Sequence, residues 1–295
     1  MDIFQTIVKR TLIEKGWSSD RKYCVLTSDG KKYLLRISPI EKLFRKKQEF
    51  GKMCEVAALS IPMCLPIEFG VCGEGVYSIQ SWIEGTDAES EVMKMDADMQ
   101  YQYGIEAGMI LSKIHTIPAP EDIPKWDVRF NAKIDRKIAM YEACPLKYES
   151  GAEAFMEYIS QNRHLLDSRP QFYQHGDYHI GNMMIDSKGV LHIIDFDRDD
   201  FGDPWEEFNR IVWCAQAAPA FACGMVDGYF DHHVPMEFWK LLALYISSNA
   251  LSSLPWAIPF GAEEIHIMQK QCAQVLQWYN GMTQVIPCWY EANRI

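Results

Sequence analysis

The chain has 295 residues, 48% of them hydrophobic and 23% charged, enough for a sizeable core and unlike a disordered or fibrous protein. Its formal net charge of −11 speaks against a nucleic-acid partner, whose phosphates call for a Lys/Arg surplus, and suits a cationic ligand or merely a soluble surface.

Asp2 can cap a helix whose apolar residues Phe4, Ile7, Val8 and Leu12 share a face, with Gly16 as its stop. Two strand-like runs follow, Lys22–Thr27 and Lys32–Ile37, joined through Asp29-Gly30, a hairpin signal. A charged helix is expected from about Glu41 to Leu59, a turn at Val71–Glu74 and a further strand at Val76–Ile83. Gly85 and the polar run Thr86–Glu91 read as a connector. Beyond it helical periodicity dominates, over Asp98–His115, Arg129–Cys144, Ala152–Leu166, Glu206–Ala217, Met236–Leu251 and Glu263–Tyr279. Inside this part lies a short β island, Phe172–Gln174, Met183–Ile185 and Leu191–Ile194, its last two strands joined by the turn Asp186–Gly189. The expected architecture is α+β: a small β-rich N-terminal lobe (1–85), a hinge near 80–90, and a larger, mostly helical C-terminal lobe (86–295). Nine cysteines without a C-x-x-C pair indicate free thiols and a reducing, cytoplasmic setting. No leader is expected, no stretch reads as a membrane span, and no membrane partner is expected.

The strongest chemical signal is His175-Gly176-Asp177-Tyr178-His179-Ile180-Gly181-Asn182, followed thirteen residues after Asn182 by Asp195. Phosphoryl transfer needs a carboxylate that orients the attacking hydroxyl and takes its proton, and oxygen ligands that hold Mg²⁺ across the phosphates. The spacing His-x-Asp, four residues, Asn is that of a kinase catalytic loop, which makes Asp177 the candidate base. The predicted hairpin returns Asp195 to the edge where Asn182 begins, so the two are the candidate Mg²⁺ ligands. His175 reads as a loop-ordering residue, and the glycines at 176 and 181 argue against a helical zinc pair at His175 and His179.

This pattern resembles the signature of the aminoglycoside phosphotransferase family, the choline-kinase-like group of the protein-kinase-like superfamily, and Gly202-Asp203-Pro204 resembles that family's downstream turn. The resemblance implies a bilobal protein-kinase-like fold and a cytoplasmic kinase that uses ATP or GTP with Mg²⁺. Its acceptor would be a hydroxyl of a small, possibly cationic molecule: an aminoglycoside antibiotic first, or choline, homoserine or a sugar. It places Arg36 where relatives carry a phosphate-contacting Lys, with Glu49 as its helix partner and Glu55 in reserve. It places Ser18 and Ser19 in the phosphate loop, Ser81 and Ile83 at the adenine edge, and Gln80 behind the base. The arginine and the poor phosphate loop also leave open a catalytically silent nucleotide-binding module. About seven residues separate Asp195 from the Gly-Asp-Pro turn, too few for the activation segment with which a protein kinase docks a polypeptide. Acceptor contacts are expected among Asp199, Asp200, Glu206, Glu207 and Asp231 and the aromatics Trp205, Trp213, Tyr229 and Trp256.

Overall fold

The computed structural model describes residues 2–14 and 20–293. In chain order the elements are β1 (Ile7–Ile13), β2 (Arg21–Thr27), β3 (Lys32–Ser38), α1 (Leu43–Ala57), β4 (Pro66–Cys72), β5 (Gly75–Ser81) and β6 (Gly85–Asp87). There follow α2 (Ala88–Val92), α3 (Ala97–Ile114), α4 (Trp126–Ala143), α5 (Ala152–Asn162), β7 (Phe172–Gln174), β8 (Met183–Asp186), β9 (Leu191–Ile193) and β10 (Asp200–Gly202). The chain continues through α6 (Ile211–Ala217), α7 (Pro219–Phe230), α8 (Met236–Ala257), α9 (Ala262–Trp278) and α10 (Cys288–Asn293). By their contacts the described residues gather into two units, one running to Ala88 and including Asn182–Asp199, the other comprising Glu89–Gly181 and the chain from Asp200 onward.

The first unit is built on an antiparallel sheet of order β1-β2-β3-β5-β4. One face buries Val25, Leu35, Ile37, Tyr77 and Ile79 beneath Ile3, Phe4 and Ile7. The N-terminal segment is thus a strand, not the expected helix. Ile7, Val8, Thr11 and Ile13 are β-branched, which disfavours a helix, and β2 offers a ladder that an isolated helix lacks. β4 was not expected; only the turn at its end, read over Val71–Glu74, was, and the chain does turn at Gly73-Glu74 between β4 and β5. The leading Pro66 of β4 is tolerated because β4 is an edge strand, and Gly70 is required because a Cβ there would lie 2.7 Å from the Tyr77 ring.

The hairpin β8–β9, expected in the larger lobe, groups with this unit. β8 pairs with β6, the supposed connector, and Ile193 exchanges backbone hydrogen bonds with Pro62 and Cys64 at 3.0 and 3.1 Å. The third strand of the expected island, β7, pairs instead with β10 in the second unit.

The second unit is helical. Its tightest packing joins α3 to α7, a helix missed in the sequence because Pro219, Gly224 and Gly228 read as breakers. The glycines are what the packing needs. A Cβ at Gly104 would stand 2.2 Å from the Phe221 carbonyl oxygen, and one at Gly224 would stand 2.1 Å from that of Tyr101. Gly108 and Gly228 repeat the contact one turn on, so the two backbones touch along a glycine seam. Gly224→Val should therefore destabilise the protein by about 3 kcal/mol or more, since neither carbonyl can step aside without moving its helix; thermal melting checks this.

The expectation that no stretch could span a bilayer needs correction. Met236–Phe260, which holds an 18-residue window of mean hydropathy 1.3, is long and apolar enough, and it runs through Pro255, past the expected end at Leu251. Two-thirds (67%) of the 18-residue window that meets this test is buried in the protein, the placement of a core helix.

Candidate active site

In the first unit, hydrogen bonding draws the hairpin ends together. The Ile194 N–H donates to the Asn182 carbonyl at 3.0 Å, which sets Asn182 and Asp195 at one edge. Asp195 sits just past β9 with φ of +69°, a left-handed conformation that Asp tolerates better than most residues. Opposite it, β3 delivers Arg36, which is 6% exposed. Arg36 Nη1 donates to Asp195 Oδ1 at 2.8 Å and its Nη2 donates to Asp197, while Asp20 Oδ2 lies 3.6 Å away. Lys22 Nζ approaches Asp195 Oδ2 at 3.6 Å.

Burial alone would raise the Asp195 pKa, but Arg36, a hydrogen bond from Asp197 and Lys22 together hold it well below the ordinary carboxylate range. Asp197 moves the other way, pushed up by burial and by the Asp195 charge. The guanidinium, desolvated yet ringed by carboxylates, holds its proton more tightly than a free arginine.

The expected Arg36–Glu49 pair is not formed. Glu49 is taken by Lys46, three residues earlier on α1, at 2.7 Å and by Arg45 at 2.7 Å, and Lys46 also reaches Asp20 at 2.9 Å. The planar fork of Arg36 spans Asp195 and Asp197 instead, a reach that a single ammonium lacks. Glu55, the reserve partner, is exposed.

Arg36, Glu49 and Gln80 line one pocket, together with Lys46, Phe196 and Asp197. Val76, Ser78 and Gln80, every second residue of β5, face it, and the Gln80 Oε1 is buried without a hydrogen-bond partner among the described residues. Ser81 is held by the preceding segment: its N–H donates to the Leu65 carbonyl at 2.9 Å, and its Oγ accepts the Leu65 N–H at 2.8 Å. Ile83 lies half-buried two residues beyond the end of β5. Ser18 and Ser19 lie outside the described residues.

The ligand set expected for Mg²⁺ fits that ion in kind. Asn182 and Asp195, both with oxygen-bearing side chains, are set at one hairpin edge by the backbone, and the Asp195 carboxylate is kept ionised. Among the described residues no group of three or more His, Cys, Asp or Glu side chains is placed to hold a metal ion.

The loop carrying Asp177 belongs to the second unit, where it leaves β7 and is held by its backbone. Glu207, 2% exposed, accepts the Gly176 N–H at 3.0 Å and the Tyr178 N–H at 3.4 Å. His175 is fully buried and its Nδ1 accepts the Asp177 N–H at 3.3 Å, the ordering role expected of it. Tyr178 OH donates to the Ala107 carbonyl at 2.7 Å and pins the loop to α3. The Asp177 carboxylate meets Arg210 Nε at 3.3 Å and His179 Nε2 at 3.8 Å.

Glu207 was expected among acceptor contacts; its carboxylate turns inward to the loop instead. The clue was its place four residues after Asp203, whose buried carboxylate accepts from Arg169 at 2.7 Å and from Tyr245 and so fixes the turn. Glu207→Ala should slow turnover about 100-fold by letting Asp177 drift, with nucleotide KM nearly unchanged; steady-state kinetics read both constants.

Most other expected acceptor residues are engaged as well. Asp200 pairs with Arg129 at 3.1 Å and Glu206 with Lys133 at 3.1 Å; in the first unit Asp199 pairs with Lys52 at 2.6 Å. Trp205 stacks against Arg169, whose guanidinium carbon lies 3.8 Å from the ring centre, and Tyr229 OH meets His115 Nδ1 at 2.9 Å.

The sequence matches the model of the phosphotransferase enzyme family over residues 9–239. No curated protein matches it. Among solved structures it is similar to a thermostable mutant of aminoglycoside phosphotransferase APH(4)-Ia in ternary complex with ADP and hygromycin B, with TM-score 0.64 and 15% identity, covering 93% of this chain and 95% of that one. It is also similar to a putative aminoglycoside phosphotransferase from Ralstonia eutropha, with TM-score 0.66 and 14% identity over 93% and 96% of the two chains. A choline/ethanolamine kinase family protein from Mesorhizobium loti aligns with TM-score 0.66 and 14% identity over 93% and 91%. At such identities the likeness establishes a shared fold, the α+β protein-kinase-like fold expected from the sequence.

Proposed function

Since the chain belongs to the phosphotransferase enzyme family, we propose that it moves the γ-phosphate of ATP or GTP to a hydroxyl of a small molecule, with Asp177 as base. Its place among small-molecule phosphotransferases is given by the family; donor, acceptor and residue roles are our reading. The observation that supports it most directly is the hairpin edge, where Asn182 and an ionised Asp195 stand together beside a buried arginine.

In this reading Asp177 accepts the hydroxyl proton as the oxygen attacks phosphorus, and Glu207 keeps its loop in place. Arg36 holds Asp195 and Asp197 in position and lends positive charge to the phosphate region. Asn182 and Asp195 would hold Mg²⁺, which when bound neutralises charge on the phosphate oxygens. The bond formed joins acceptor oxygen to the γ-phosphorus; the bond broken releases the nucleoside diphosphate.

The test is incubation with γ-labelled ATP or GTP and a panel of alcohols that includes hygromycin B and choline. A labelled organic phosphate should form with Mg²⁺ and vanish with a chelator. Release of inorganic phosphate alone, whatever the acceptor, would remove the transfer reading.

A further inference from the structure

The loop that carries Asp177 rests on α3 and on Glu207, and both lead to one further side chain. His115 caps the C-terminus of α3, about two turns beyond Ala107, whose carbonyl takes the Tyr178 hydroxyl. It is 6% exposed. Its Nδ1 meets the Tyr229 hydroxyl of α7 at 2.9 Å, and the two rings stand edge to face. The glycine seam between α3 and α7 fixes this pair, since a Cβ at Gly108 would lie 2.6 Å from the Tyr229 backbone nitrogen.

Hydrogen bonding sets the tautomer of the ring. Burial first, then the Asp203 and Glu207 charges, raise the Tyr229 pKa, so its hydroxyl keeps its proton. Among the described residues His115 Nδ1 is the partner which that hydroxyl has. A neutral imidazole satisfies it by accepting at Nδ1, which leaves the ring proton on Nε2. Nε2 is itself buried and has no hydrogen-bond partner among the described residues.

Glu207 Oε2 lies 3.9 Å from that nitrogen. The Glu207 carboxylate is deeply buried, and among the described residues His115 is the one basic side chain at ion-pair distance from it. Its hydrogen bonds come from the N–H groups of Gly176 and Tyr178. A carboxylate so far from water still gains from a further donor. The gap is roughly 1 Å longer than a hydrogen bond, and catalytic contacts of this length commonly tighten as substrate binds.

We propose that His115 is a positioning residue for Asp177: its Nε2–H donates to Glu207, and the carboxylate so held keeps the backbone of Gly176, Asp177 and Tyr178 rigid. The line of contact runs from Tyr229 through His115 and Glu207 to the loop, so α3 and α7 together set where the base stands. The imidazole acts through Glu207 and takes no proton from the acceptor. This inference rests on the phosphotransfer reading above for the step that Asp177 serves.

The experiment uses the full chain with Mg²⁺, ATP or GTP, and the best acceptor from the alcohol panel. His115→Leu removes the donor at similar volume, and His115→Gln returns an N–H at about the reach of Nε2. His115→Leu should lower kcat about 10-fold with nucleotide KM within about twofold of the parent. His115→Gln should recover most of that loss, even where it melts no higher than His115→Leu. Once Glu207→Gln has removed the charge, adding His115→Leu should cost less than about twofold. An unchanged kcat in His115→Leu, or a loss that His115→Gln does not restore, overturns the positioning role and leaves phosphotransfer standing. If the parent phosphorylates no alcohol, phosphotransfer falls. In that case, or should His115→Leu not fold, ¹⁵N NMR of the histidine rings decides the contact. An Nε2–H signal from His115 that shifts on Glu207→Gln supports it, and an Nδ1–H tautomer or an unmoved signal overturns it.

Discussion

Asp177→Asn is expected to lower kcat by about 10²–10⁴-fold while leaving thermal stability and nucleotide KM close to the parent values. The reason lies in how the loop is held. Glu207 and His175 grip it through the N–H groups of Gly176, Asp177 and Tyr178, and Tyr178 anchors it to α3, so the Asp177 side chain is not needed to keep its shape. An amide of the same size can still meet Arg210, yet it cannot take a proton from the attacking alcohol. A steady-state comparison on any working acceptor settles it: a variant as fast as the parent removes Asp177 from the chemistry, and one that melts early makes its role structural.

Arg36→Met should cost about 3–5 kcal/mol of stability, because it leaves Asp20, Asp195 and Asp197 facing one another without their shared buried cation. Urea unfolding measures the loss. Its pH dependence carries a sign. Asp195 and Asp20 are both held below the ordinary carboxylate range: burial opposes this, but Arg36 leads the lowering at Asp195, and Lys46, Ser38 and then Arg36 lower Asp20. Stability that comes from a depressed carboxylate pKa is fully present above the unfolded value and is lost as pH falls through the folded one. The gap between parent and variant should therefore be widest near neutrality and narrow in acid. Arg36→Lys should recover only part of the loss, since an ammonium cannot reach Asp195 and Asp197 with two parallel donors. A variant as stable as the parent at neutral pH would show that other groups, such as Lys22 and Lys46, suffice to balance these acids.

The strands β2, β3, β8 and β9 and most helices of the second unit were legible in advance because their signals are local. A two-residue alternation, an Asp-Gly turn or a helical stripe is decided within a dozen residues. β1 misled because Phe4, Ile7, Val8 and Leu12 fit a helical stripe as well as a strand, and only the neighbouring β2 ladder decides between them. β4 and α7 were hidden by Pro66, Gly70, Pro219, Gly224 and Gly228, residues that look like breakers until the ring or backbone pressed against them is known. The inward role of Glu207 and the swapped partners of Arg36 and Glu49 were equally hidden, because each depends on which carboxylate the fold brings nearest.

The sequence by itself determined the spacing of Asp177, Asn182 and Asp195, and through the local hairpin the meeting of the last two, because turn chemistry and strand register act over short stretches of chain. Only the tertiary structure decided which charges neighbour which. The carboxylates around Arg36 and the cations around Glu206 come from segments far apart in number, and electrostatic energy depends on distance in space rather than along the chain.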